Sequence, residues 1–207
     1  EKVLRFQKGE IVMGARMKAS ILDDYKKAND EKRIKIVLDH YSGFMAFVNA
    51  YEKGLIKTIK AERSYNRRKA LGDLGVRVQT SGNGNPTSSE GDEDVIVCQA
   101  VRTGDYITAL RGADRFETHK WEILLLKDMR EIYGLVEDQI GALGDEKDIF
   151  ERYLRREFNL ATIADSEGVT SDAMKKRFGI LRKEVVANSL RWLEEQRPYS
   201  YLEQKGA

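Results

Sequence analysis

Proline occurs only twice in the 207 residues, at Pro86 and Pro198. Because proline removes a backbone donor and clashes with the preceding helical turn, its scarcity leaves residues 1–85 and 87–197 free to be helical. Apolar residues use that freedom at helical spacing. Ile36 and Val37, then Tyr41, Phe44, Val48, Tyr51, Leu55 and Ile59 recur at three- and four-residue steps and form one stripe. Met13 to Tyr25 reads as a short helix before it. Ile34 to about Leu71 reads as one long helix or two consecutive ones, with Gly43 and Gly54 each weakening it by up to about 1 kcal/mol relative to Ala and offering a place to bend. Period-two alternation never persists, so strands are not favoured. The expected fold class is all-α, and the 34% charged content suits narrow amphipathic helices rather than a thick α/β core.

VQTSGNGNPTSSEGDED, from Val78 to Asp94, breaks the pattern. It lacks the apolar surface that would repay its ordering entropy, and reads as a mobile linker or as a long functional loop. The expected organisation is a helical N-terminal domain with a basic face (1–75), a polar flexible linker (76–104), a long helix plus a C-terminal trihelical domain (105–197) and a tail (198–207). Val95 to Val101 is a brief apolar run, either a strand or the first turns of a helix. From Asp114 to Ile140, Trp121, Leu125, Met129, Ile132, Val136 and Ile140 fall on one helical face, which Ile123, Leu124 and Leu126 broaden. GALGDE closes that helix, with Asp145 a candidate N-cap for the next. Three further helices are expected over Glu146 to Phe158, Leu160 to about Ser166 and Ser171 to about Glu195, the last ended by Pro198.

Several classes find no support in the residues. No run of apolar residues is long enough to span a membrane. EKVLRFQKGE lacks the apolar core of a secretory signal, although the first residue is not Met and the start is consistent with trimming. The single Cys98 fits a reducing cytoplasm. His40 and His119 have no partners at metal-ligand spacing, and neither a P-loop nor a nucleophile elbow is present. The acids of GDEDV are adjacent rather than alternate, unlike a calcium loop. Neither enzymatic chemistry nor a metal or other cofactor is expected.

Charge is unevenly distributed. Residues 1–75 carry 17 Lys and Arg against 10 Asp and Glu, residues 105–150 carry 6 against 11, and residues 151–197 carry 10 against 8. This pattern fits a protein with several separate contacts rather than one uniform field.

The densest constellation is LATIADSEGVTSDAMKKRFGILRKEV, Leu160 to Val185. Leu160 and Ile163 give a short helix an inward side, Ala164 lets a second helix approach, Gly168 makes a tight turn and Val169 tucks it against the core. Thr170 or Ser171 caps the second helix, whose buried side is Met174, Phe178 and Leu181. Ser171, Asp172, Lys175, Lys176 and Arg182 then face outward. Residues at the start of such a helix reach base edges in the major groove, while the cations attract phosphate. Arg177 and Lys183 contact phosphate or balance nearby acids. The preceding helix, IFERYLRREF, brings Arg152, Arg155 and Arg156 near the DNA backbone. The same pattern also fits a plain helical hairpin with a solvated charged face.

The span from about Leu135 to Leu193, with its supporting helix, "IADSEGV" and a capped helix ending in "RFGILRKEV", resembles the C-terminal domain of bacterial sigma factors. The order of segments along the chain, with VRVQTSGNGNPTSSEGDEDVI as the polar linker, is similar to small phage late-gene activators of the RinA and ArpU type. This resemblance implies a cytoplasmic protein of the bacterial host cell that binds promoter DNA and acts with RNA polymerase. Two positions depart from the motif: Glu167 and Arg177 stand where apolar residues are usual. Either the corner is re-registered or these side chains run outward.

Lys53, Lys57, Lys60, Arg63 and Arg67 share another helical face, continued by Arg68 and Lys69, with only Glu62 among them. That face offers a second phosphate contact, an acidic protein contact or a solvated surface. The expected function is sequence-specific binding of duplex DNA in transcription regulation, compatible with a homo-oligomer. The alternatives are a DNA-packaging recognition subunit of the small-terminase kind and a helical protein-interaction adaptor.

Overall fold

The computed structural model describes residues 21–70, 72 and 87–203. Among the described residues every regular element is a helix. Helical backbone over residues 21–27 is followed by α1, Asp30–Asp39. Asn29 caps α1 by accepting the Lys32 N–H at 3.1 Å, and Asp30 and Glu31 complement the dipole in its first turn. His40 closes it, so the expected Ile34–Leu71 segment resolves into α1 and a longer α2, Tyr41–Ala70, which neither Gly43 nor Gly54 ends. Then come α3 (Thr87–Thr103), the short α4 (Tyr106–Ala109), α5 (Phe116–Gly141), a 3₁₀ turn (Gly144–Glu146), α6 (Lys147–Leu154), α7 (Leu160–Ser166) and α8 (Ser171–Glu203). No helix among the described residues is long and apolar enough to cross a membrane.

Five local expectations are corrected. Helix α3 occupies much of the expected linker, because Val97, Ala100 and Val101 at helical spacing are buried and repay its ordering. The rest of that linker, residues 76–86, lies outside the described residues, as do Met13 to Ser20 of the first expected helix and residues 204–207 of the tail. In α5, Trp121 is 68% exposed, and the buried positions run through His119, Ile123, Leu126, Met129, Ile132, Val136 and Ile140. Two apolar registers coexist at the start of that helix, and the one through Ile123 faces inward. Asp145 lies in the 3₁₀ turn rather than capping α6, whose cap position, Glu146, makes no side-chain capping bond. Helix α6 stops at Leu154, and Arg156 follows at φ +57°, a left-handed conformation that cannot continue a helix. Helix α8 runs through Pro198 to Glu203, the proline forgoing one backbone bond without ending the helix.

The chain forms two compact units: Glu1–Met45 with Glu131–Ala207, and Ala46–Arg130. This is not the front-to-back division expected from composition. The first unit joins early and late segments around one core. Tyr133 stacks on Tyr41 at 5.5 Å and on Phe44 at 6.0 Å between ring centroids, and Tyr25 packs on Phe44 at 6.1 Å. Helix α1 buries Ile34, Val37 and Leu38 and packs against α8. Phe150 and Phe178 meet at 5.8 Å, and full burial of each contributes about 1.5–3 kcal/mol.

The second unit buries Val48, Leu55, Ile56, Ile59, Val97, Val101, Leu110, Ile123, Leu126 and Met129. It also encloses charge. Glu52, 3% exposed, accepts from Arg102 Nε at 2.8 Å and pairs with Arg130. A carboxylate buried in this way persists because each of its oxygens has a cationic partner.

Candidate nucleic-acid interface

Helices α7 and α8 begin and end where side chains and turn geometry direct them. Asn159 caps α7 by accepting the Thr162 N–H at 2.8 Å. At its other end the Val169 N–H reaches the Ala164 carbonyl at 3.0 Å and the Gly168 N–H reaches Asp165 at 3.2 Å. With Gly168 at φ +65°, these two bonds make a Schellman turn. Thr170 then caps α8: its hydroxyl accepts the Ala173 N–H at 3.2 Å while its carbonyl accepts from Met174 at 3.0 Å. Ala164 is fully buried where the helices approach, and α7 packs on α8. Val169 is 40% exposed rather than tucked in, since the turn is fixed by its backbone.

The inner side of α8 is Met174, Phe178, Leu181 and Val185, all buried. Its outer side carries exposed Ser171, Asp172, Lys175, Lys176 and Lys183. Thr170 is also exposed, with its oxygen engaged as a cap. Lys175 and Lys176 make no ion pair among the described residues. Ile180 is 65% exposed one turn beyond Lys176, an apolar group that the charge pattern of the sequence did not single out.

The arginines proposed to join them are differently placed. Arg182 bonds to the Asp39 carboxylate at 2.5 Å and to the Lys35 carbonyl at 3.3 Å, so it fastens α8 to α1. Arg152 lies 4.6 Å above the Phe158 ring and 3.8 Å from Glu157. Arg155 is paired with Glu151 at 2.5 Å, and this hydrogen bond raises its pKa further. Arg156 is exposed. Arg182 thus ties α8 to α1, and Arg155 forms an exposed pair with its own helix, since a guanidinium near a fixed carboxylate binds it.

Glu167 and Arg177 explain each other. Arg177 donates from Nη2 to Glu146 at 2.5 Å and from Nη1 to Glu167 at 3.3 Å. The two polar departures form a bridge across the corner. The bond to Glu146, ahead of that to Glu167, raises the pKa of Arg177.

In the second unit, Lys53, Lys57 and Arg67 of the α2 stripe are exposed, whereas Lys60 and Arg63 are half-buried. Glu62, the lone acid of that stretch, is turned to other work. It accepts from Arg115 Nε at 3.0 Å and from the Asp114 N–H at 3.0 Å, and His119 Nε2 lies 3.2 Å away. Burial opposes its charge, but the bonds from Arg115 and His119 prevail and hold its carboxyl below the usual range. His119 Nδ1 faces Glu122 at 2.8 Å, and Glu122 accepts from Tyr51 at 2.8 Å. Burial, then that hydrogen bond, pushes the Tyr51 phenol well above its ordinary range. His119 is therefore a hydrogen-bonded core residue.

Arg111 escaped the sequence reading because it stands alone between the acidic and helical segments. It shares an open cleft of about 550 Å³ with Arg63 and Arg67. No family model, no curated protein and no solved structure matches the chain.

Proposed function

We propose that the chain is a duplex-DNA-binding transcription regulator whose α7, turn and α8 form a helix-turn-helix, with the first turns of α8 in the major groove. The observation that carries this reading is Lys175 and Lys176: two exposed cations, unpaired among the described residues, near the capped start of a helix whose opposite side is buried. Ser171 and Asp172 are placed to reach base edges beside them. Ile180 adds an apolar group suited to a thymine methyl. Arg156 and the α2 stripe supply further phosphate attraction.

The sigma-like motif and the order of helical segments support a phage-type activator that works with bacterial RNA polymerase in the host cytoplasm. Fluorescence anisotropy on promoter fragments, repeated across salt concentrations, tests the DNA reading. Lys175→Ala and Lys176→Ala each weaken binding, by roughly 1–3 kcal/mol where a bidentate base contact is lost. Unchanged affinity in both variants overturns the assignment of α8. A high-order ring in solution-mass measurements favours the DNA-packaging class instead.

A further inference from the structure

Both ring nitrogens of His119 face carboxylate oxygens: Nδ1 lies 2.8 Å from Glu122 Oε2, and Nε2 lies 3.2 Å from Glu62 Oε1. A neutral imidazole carries one N–H and one lone pair, so it donates to only one of them. Its other nitrogen then aims a lone pair at a carboxylate oxygen, on a residue only 3% exposed, where water has little room to intervene. An imidazolium donates to both.

The surrounding groups leave the extra proton to the ring. Glu62 is taken up as an acceptor, by Arg115 Nε and Nη2 on one oxygen and by the Asp114 N–H on the other. Glu122 accepts the Tyr51 hydroxyl with Oε1 at 2.8 Å, and its side chain is 26% exposed against 4% for His119, so its charge is the better solvated of the two. Imidazole is also the stronger base of that pair. Tyr51 and Glu62 belong to α2, Asp114 and Arg115 lead into α5, and His119 and Glu122 lie on it. Among the described residues these are the titratable and charged groups bonded around the ring, and they come from both helices.

We infer that His119 is a proton-dependent clasp between α2 and α5: with both nitrogens protonated it holds Glu62 and Glu122 together, and on losing a proton it releases one of them and loosens the hold of α5 on α2. The unfolded chain has no such pair of acceptors, so protonation of the ring favours the folded state. The clasp's contribution to stability is present below the titration of the ring and is lost as pH rises through it. This is opposite in sign to the contribution of Glu62, which is lost toward acid. The clasp lies within the second unit and does not rest on the DNA-binding role assigned to α8.

The test uses the full chain. Urea unfolding is followed between about pH 5.5 and pH 8.5 for the wild type and for His119→Gln, whose amide keeps a donor and an acceptor but takes up no proton. Across this range the unfolding equilibrium constant of the wild type is expected to rise about tenfold more than that of the variant. Ring nitrogen chemical shifts of the wild type, recorded with isotope-labelled histidine and with His40→Gln to identify the His119 signals, are expected to show both nitrogens protonated at the acidic end. Unfolding constants that change in parallel in the two proteins overturn the inference. So does a His119 ring that stays a single neutral tautomer over the whole range, a readout on the wild type that does not depend on the folding of His119→Gln.

Discussion

Arg177 Nη1 lies 3.3 Å from Glu167 Oε2, joining the end of α7 to the second turn of α8 across the Gly168 corner. The same guanidinium holds Glu146, whose other carboxylate oxygen is buried with no partner among the described residues. Removing Arg177 leaves that carboxylate without its cation. Arg177→Met is expected to lower unfolding free energy by about 1–2 kcal/mol, and Glu167→Leu by less than about 1 kcal/mol, because the latter breaks only the more exposed bond. Urea denaturation of the two variants and their double mutant measures this. Equal losses from the single variants would contradict the ranking.

Arg182 and Lys176 are both cations of α8 with opposite assignments. Arg182→Ala cuts the tie to Asp39 and is expected to lower the melting temperature, at a cost of roughly 1 kcal/mol. Lys176→Ala leaves the melting temperature within error and lowers DNA affinity. Thermal scans and anisotropy on the same protein samples separate the two effects; a large affinity loss in Arg182→Ala at unchanged stability would return that residue to the DNA contacts.

Glu52 is the most consequential charge in the second unit. Glu52→Gln retains its shape but removes the counter-charge from Arg130, whose Nη1 is already buried without a partner among the described residues. Breaking a buried pair by neutralising one side costs about 3–5 kcal/mol. Guanidinium chloride unfolding provides the check, and a loss below about 1 kcal/mol would show that water reaches the site.

Glu62 sets the response to acid. Its folded-state pKa is depressed, so its contribution is complete above the ordinary carboxylate range and disappears as pH falls through the folded-state value. Stability of the wild type therefore declines on acidification in a way that Glu62→Gln flattens. Melting temperatures between about pH 6 and pH 3 reveal the difference; parallel curves for the two proteins would mean that other carboxylates carry the acid sensitivity.

Local chemistry was legible wherever the decisive partners are near in sequence. Leu160 to Ser166 and the start at Ser171 could be read because Gly168 and Thr170 act on neighbouring backbone groups. The inward faces of α2 and α8 followed from periodicity alone. Arg182 could not be read in the same way, since its carboxylate partner is 143 residues away. Trp121 was assigned to the wrong face because an apolar side chain broadens a helical stripe equally well from either edge, and only the packing of Ile123 and Leu126 chose the edge. Arg111 carried no local signal, as it shares its cleft with Arg63 and Arg67 of a distant helix.

The packing of α1 on α8 also governs when this protein can fold during its synthesis. Ile34, Val37 and Leu38 have their packing partners at the opposite end of the chain. At a translation rate of roughly 5–20 residues per second, the 143 residues from Asp39 to Arg182 take about 7–29 s to emerge. Throughout that interval the α1 face of the nascent chain lacks its α8 partner, which makes Asp30–Asp39 the segment on which a chaperone acting at the ribosome would hold this protein.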